Sequence, residues 1–166
     1  ITVQNVYKSF DEKQVLSDIN TQFSQGCINM IIGASGSGKT VLMKCIVGLH
    51  EPTQGKIFYN DKEFTSLSYD EKRALRKEMG MLFQGSALFD SLNVEENVAF
   101  ALRIFTNMTK QEIRKRVNSC LERVNLGKVN GLYPAELSGG MKKRVGIARA
   151  IAMNPQYLFV DEPNSG

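Results

Sequence analysis

The chain has 166 residues, of which 42% are hydrophobic and 23% charged, with a formal net charge of +4. That length suits one domain with a buried core, and the balance is ordinary for a soluble globular protein. No run approaches the roughly 18 apolar residues of a membrane span, so a membrane role would come through a partner, and no basic-then-apolar leader opens at Ile1, so nothing points to secretion.

Cys27, Cys45 and Cys120 are odd in number, widely spaced and set in apolar or helical contexts. They read as buried free thiols of a reducing compartment, and no CxxC pair suggests a metal site. One histidine, His50, leaves no room for a histidine-rich centre. Basic clusters such as Arg114-Lys115-Arg116 and Lys142-Lys143-Arg144 read first as solvated helix surface, with nucleic acid or anionic lipid headgroups as the minority readings, and no nucleic-acid partner is expected.

In chain order, residues 1–6 and 15–23 show rough period-two patterning and predict strands, and the apolar run Cys27–Ile32 predicts a buried one. Gly33-Ala34-Ser35-Gly36-Ser37-Gly38-Lys39-Thr40 then fits the phosphate-loop pattern G-x-x-x-x-G-K-[ST], followed by a helix over 41–47. Glycines let successive N–H groups converge on phosphate oxygens, and the positive end of the helix dipole points the same way. Lys39 would reach the β- and γ-phosphates, and Thr40 would offer its hydroxyl to Mg²⁺. A bound nucleoside triphosphate is the expectation.

A turn over 51–55 and a strand over 56–59 follow, then a helix opened by the capping-box spacing of Ser68 and Glu71 and running to about Lys77. Residues 79–83 predict a buried strand ending at Gln84. From there the signals are helical: Asn93 caps one helix, and Thr109 with Glu112 opens another whose apolar stripe is Ile113, Val117, Leu121 and Val124. A third stripe, Met141, Val145, Ala148 and Ile151/Ala152, is stopped by Asn154-Pro155. The last strand, Gln156–Val160, delivers Asp161 and Glu162 at its end, where open α/β sheets bind ligands. Asp161 suits Mg²⁺ and Glu162 suits a general base for the attacking water. Leu137-Ser138-Gly139-Gly140-Met141 adds a second set of exposed donors at a helix start.

The order phosphate loop, strand-Gln, helical insert, LSGG and hydrophobic-Asp-Glu resembles the ATP-binding cassette (ABC) family from Ile1 to Gly166. The resemblance implies an α/β fold: a P-loop NTPase core over about 1–84 and 146–166, an antiparallel β subdomain at the N-terminus and an α-helical insertion over about 85–145. It also implies ATP and Mg²⁺ as ligands, held between two head-to-tail copies. Gly33 to Thr40 then match Walker A, Asp161 and Glu162 end Walker B, and Gln84 joins Mg²⁺ and the attacking water. Ser138, Gly139 and Gly140 face the γ-phosphate bound by the other copy. Phe10 lies where an aromatic stacks on adenine, with Tyr7 as second choice.

Residues 81–100, from Met81-Leu82-Phe83-Gln84-Gly85 to Asn97-Val98-Ala99-Phe100, together with Met141 after LSGG, resemble the Mla-type ATPases of MCE-associated lipid transporters. That implies a permease whose coupling helix meets residues 85–100, an MCE-type lipid-binding partner and a place on the cytoplasmic face of a bacterial inner membrane. ATPases for amino-acid, metal or lipoprotein transport share the layout, as do soluble cassettes of translation or DNA maintenance. Asn164 stands where Thr is usual. Family members continue past the position of Gly166 with a D-loop and a γ-phosphate-sensing histidine. On that comparison the chain is truncated, and weak or no turnover is expected of it alone.

Overall fold

The computed structural model describes residues 1–161, so Glu162 lies outside the described residues. The chain forms two compact units, Ile1–Arg76 and Lys77–Gly166.

The first unit is built on an antiparallel sheet of order β2-β1-β3-β4, made of β1 (Thr2–Phe10), β2 (Lys13–Gln22), β3 (Gln54–Tyr59) and β4 (Lys62–Glu63). Val3 and Val6 are both buried although they are three apart, which strict alternation forbids. The register explains it. Val3 faces Thr21 while Val6 faces Ile19, so β1 carries one extra residue, and Asn5 absorbs it at φ 46°. Asn20 Oδ1 accepts from the Asn5 N–H at 2.8 Å, and Asn5 Nδ2 donates to Asp18 at 2.9 Å. Helix α1 (Lys39–Ile46) buries Leu42, Met43, Cys45 and Ile46, and the Tyr59 hydroxyl donates to the Ile46 carbonyl at 2.8 Å. Helix α2 (Tyr69–Arg76) buries nothing of its own. It is held by its Ser68–Glu71 box and by Arg76, which donates to the Gly48 carbonyl at 2.7 Å.

Two expectations fail in this unit. Cys27–Ile32 forms no strand and joins no ladder among the described residues; Ile28 is 97% exposed and Ile32 84%. Composition makes a segment apt for a strand, but hydrogen-bonding neighbours make it one, and neither β2 nor β4, the edges of this sheet, pairs with it. Cys27 is accordingly exposed, whereas Cys45 and Cys120 are buried and burial pushes both thiols up.

The second unit pairs β5 (Met79–Leu82) with β6 (Tyr157–Val160) in parallel, Met79 opposite Tyr157 and Leu82 opposite Val160. A parallel pair needs a crossover, and α3 (Val94–Phe105), α4 (Lys110–Arg123) and α5 (Gly139–Ile151) supply it. Their apolar faces meet in one core containing Val98, Leu102, Val117, Leu121, Val145 and Ala148. The expected stripes are these faces, with Val124, Met141 and Ile151 at their margins. β6 is less buried than its composition predicts: Leu158 and Val160 are exposed, because β5 is its one ladder partner among the described residues. Arg116 also departs from the solvated-surface expectation, donating to the carbonyls of Ala152 and Ile151 at 2.8 and 2.9 Å at the end of α5.

Capping boxes fix the starts of α3 and α4 through Asn93–Glu96 and Thr109–Glu112. The bonds Glu112 accepts from the Thr109 backbone and side chain hold its carboxyl below the usual range. Its stabilising contribution is therefore present above the unfolded-state pKa and lost as pH falls through the folded one. Replacing Thr109 with Ala should move the Glu112 titration back up, read by NMR. In urea unfolding, Leu121→Ala in the helical core should cost about 2–5 kcal/mol, whereas Leu158→Ala on the exposed face of β6 should cost far less.

Candidate functional site

In the first unit the glycine loop delivers Lys39 and Thr40 to the start of α1. Gly38 occupies the N-cap at φ 93°, and a Cβ there would lie 2.9 Å from Leu16 Cδ2 and 3.1 Å from the Val15 carbonyl. β2 therefore presses the loop from below, at a distance only glycine permits, and no side chain caps the helix. The first turn of α1 carries no acidic residue. Lys39 Nζ folds back to donate to the carbonyls of Gly33 at 3.0 Å and Ala34 at 2.8 Å, and the Ser37 N–H bonds Ala34 O at 3.2 Å. Gly33 to Ser37 are exposed, and the space around the Gly36 Cα is open. An exposed glycine loop, a lysine and a helix dipole of the right sign suit a polyphosphate.

Phe10 ends β1 and is 39% exposed. Its ring meets His50 edge-on at 5.2 Å, and Lys8 Nζ sits 4.8 Å from its centroid. Tyr7 is less available, since it lies within the β1–β3 ladder opposite Gln54.

The second unit brings Gln84 and Asp161 to the same end of its parallel pair. β5 stops at Leu82, whose carbonyl accepts from the Asp161 N–H at 3.0 Å, and Gln84 follows two residues on in an exposed turn. Asp161 is buried and Gln84 solvent-facing. No group of three or more His, Cys, Asp or Glu gathers among the described residues. Ser138 caps α5 by accepting from the Met141 N–H at 3.3 Å. Gly139 and Gly140 follow, both exposed, with nothing near their Cα hydrogens and no acid in the first turn.

Sequence reasoning missed the side chains that shape the turn after Gln84. Asn97 is fully buried inside the apolar face of α3, where its Oδ1 accepts from the Phe89 N–H at 2.9 Å and its Nδ2 donates to the carbonyls of Phe89, Leu92 and Asn93. Arg149, beside the stripe of α5, donates to the carbonyls of Ser86 at 2.7 Å and Ala87 at 2.9 Å. Burial pulls its guanidinium below the ordinary value. Both residues were detectable as polar groups placed in or against an apolar helical stripe, a position that demands specific partners.

In the first unit a glycine loop at an acid-free helix start is the kind of element that binds phosphate, and in the second a carboxylate and an amide stand at the ends of parallel strands, where open α/β sheets bind ligands. Comparison with known proteins narrows this. The ABC transporter family profile matches residues 16–165, and the chain belongs to that family. It is 45% identical over 165 residues to the methionine import ATP-binding protein MetN of Clostridioides difficile, covering 99% of this chain and 51% of that protein. It is 39% identical over 166 residues to the probable ribonucleotide transport ATP-binding protein mkl of Mycobacterium leprae, covering 100% of this chain and 48% of that protein. The chain thus spans about half the length of these curated relatives. Among solved structures, the dimeric cassette MJ0796 of a bacterial ABC transporter superposes with a TM-score of 0.91 at 33% identity, covering 98% of this chain and 73% of that one. Its post-hydrolysis state with ADP and Pi gives 0.90, also at 33% identity, covering 98% of this chain and 74% of that one.

Asn97→Ala should leave the Phe89 N–H and the Leu92 carbonyl without their side-chain partner and take a second donor from the Phe89 and Asn93 carbonyls, which keep backbone bonds from Leu92 and Asn97, at about 1–3 kcal/mol. Urea unfolding checks the cost, and Asn97→Asp, which keeps the acceptor but loses the donors, should not restore it.

Proposed function

We propose that this chain is the ATP-binding and ATP-hydrolysing cassette of a membrane transporter, working as a head-to-tail pair. The observation that carries the proposal is the phosphate loop, with Lys39 folded onto neutral carbonyls beside an acid-free helix start. Phosphate oxygens are charged and accept more strongly than amide carbonyls, so Lys39 would exchange Gly33 and Ala34 for the β- and γ-phosphates. The N–H groups of residues 33–40 would cradle the same oxygens, and Phe10 would offer its ring to adenine.

Thr40, Gln84 and Asp161 are the groups proposed to hold Mg²⁺. When bound, Mg²⁺ draws charge from the phosphates and favours the leaving group. Gln84 would orient the attacking water and Glu162 would take its proton. Ser138, Gly139 and Gly140 would donate to the γ-phosphate held by the second copy; their exposure and the dimeric form of the related MJ0796 cassette support this.

For the permease, the supporting feature is an apolar face on the second unit. The rings of Phe89 and Phe100 meet at a 40° tilt with centroids 4.7 Å apart, both exposed, and Ile104 continues the same face of α3 one turn on. An amphipathic permease segment is the proposed occupant. No helix among the described residues is long and apolar enough to cross a membrane, so membrane attachment is proposed to run through that contact, on the cytoplasmic face.

The cargo has two readings, each with its own support. The Mla-like residues 81–100 and Met141 favour lipid, with an MCE-type partner. The names of the first relatives favour a small polar solute such as an amino acid. With the chain in its transporter in liposomes, ATP turnover stimulated by phospholipid supports the first, and turnover stimulated by methionine supports the second.

Lys39→Ala should weaken ATP binding and lower turnover by about a hundredfold or more, as loss of a transition-state donor does. Glu162→Gln should retain ATP binding and abolish turnover. Unchanged turnover in both variants would overturn the proposal.

A further inference from the structure

Residues 85–87 adopt three successive left-handed conformations, at φ 70°, 68° and 43°. Gly85 takes this freely, but Ser86 and Ala87 carry a Cβ and do not. Such a run persists where the surroundings over-determine it. Here the restraint comes from α5. The two arms of the Arg149 guanidinium reach successive carbonyls, Ser86 O at 2.7 Å and Ala87 O at 2.9 Å, and its Cζ lies 5.7 Å from the Phe89 ring centroid.

The partner set is unusual for a half-buried arginine. No ion pair among the described residues includes Arg149, so its charge is met by two backbone carbonyls and an aromatic face. A guanidinium so placed fixes backbone geometry as a fork, which an ammonium cannot copy. Gly146, three residues earlier, completes the seat: a Cβ there would lie 3.2 Å from Ser86 Cβ and 2.7 Å from Leu82 Cδ1. Ser86 is 2% exposed, and its hydroxyl has no partner among the described residues, so a buried polar group is sacrificed to the fit. At the far end, Asn97 pins Phe89 and Leu92 to α3. The loop is therefore bolted at both ends, immediately after Gln84.

We propose that Arg149 is a positioning residue for ATP hydrolysis, fixing the loop after Gln84 to α5 so that Gln84 and the aromatic face at Phe89 are held in one pose. This rests on the nucleotide-binding function proposed above. Arg149 touches no substrate atom in this scheme; it acts through the backbone of Ser86 and Ala87. The helix it belongs to begins at Ser138-Gly139-Gly140, so the same bolt sets Gln84 relative to those donors.

The test uses the full-length protein assembled with its permease, comparing wild type, Arg149→Lys and Lys39→Ala. Arg149→Lys keeps the charge and loses the fork. Its expected signature is faster amide hydrogen exchange over 84–89, unchanged ATP affinity, and a kcat lowered by about tenfold to a hundredfold, the scale of a small misplacement of a catalytic group. Wild-type kcat, or unchanged exchange over 84–89, in a folded Arg149→Lys protein would overturn the proposal. So would ATP affinity falling in step with kcat, since that marks general damage. If Arg149→Lys does not fold, Ala87→Gly serves instead: it removes the steric cost that narrows the loop to this pose, and the same exchange and kcat changes are expected, with neither appearing as the contrary result. Lys39→Ala separates the two levels. Full turnover in that variant sinks the nucleotide function itself, whereas its loss beside an unaffected Arg149→Lys sinks only the role given to Arg149.

Discussion

The anion binding proposed for this chain depends on helix starts that no carboxylate occupies. The N-terminal N–H groups of a helix need acceptors, and a chain usually supplies them from its own side chains. Three helices here do so: α2, α3 and α4 are opened by Ser68, Asn93 and Thr109 with Glu71, Glu96 and Glu112 answering three residues on. α1 and α5 differ. Neither has an acid in its first turn; α1 begins at Gly38 with no cap at all, and α5 has only the Ser138 hydroxyl. These are the helices that follow the phosphate loop and the LSGG segment. A carboxylate at either start would satisfy the donors internally and repel phosphate.

Local chemistry made much of this legible before any coordinates. Capping spacing located α2, α3 and α4 to within a residue at their starts, and the apolar stripes of α4 and α5 are faces of the core in the second unit. The phosphate-loop pattern placed Lys39 and Thr40 just ahead of a helix expected over 41–47, and the structure begins α1 two residues earlier, at Lys39. These signals act over three or four residues and need no distant partner. Cys27–Ile32 failed for the opposite reason. Its run of apolar residues states what the segment could bury, but a strand exists only where another strand accepts its hydrogen bonds. β6 shows the intermediate case, paired on one edge with β5 and left with Leu158 and Val160 outside.

The residues that shape the Gln84 turn were hidden by a different limit. Asn97 and Arg149 act on backbone atoms of a loop 8 and 62 residues away in sequence, and no local pattern encodes those partners. What the sequence does carry is the anomaly: an amide inside an apolar helix face, and a guanidinium beside one. A buried polar group that persists must be satisfied, and at loops it is often satisfied by fixing a backbone that would otherwise wander. The left-handed Ser86 and Ala87, at roughly 1–2 kcal/mol each, show that this loop is held against its own preference.

Sequence likeness of 45% to a methionine import protein and 39% to a probable ribonucleotide transport protein fixes the family and not the cargo. The central claim concerns the start of α1, and it can be tested without knowing the cargo. Equilibrium ATP binding should be measured for Val41→Glu and Val41→Gln, which place a carboxylate or its neutral isostere three residues after Gly38. Binding retained by Val41→Gln and lost by Val41→Glu is the result expected of an acid-free anion site. Equal ATP affinity in the two variants would contradict it.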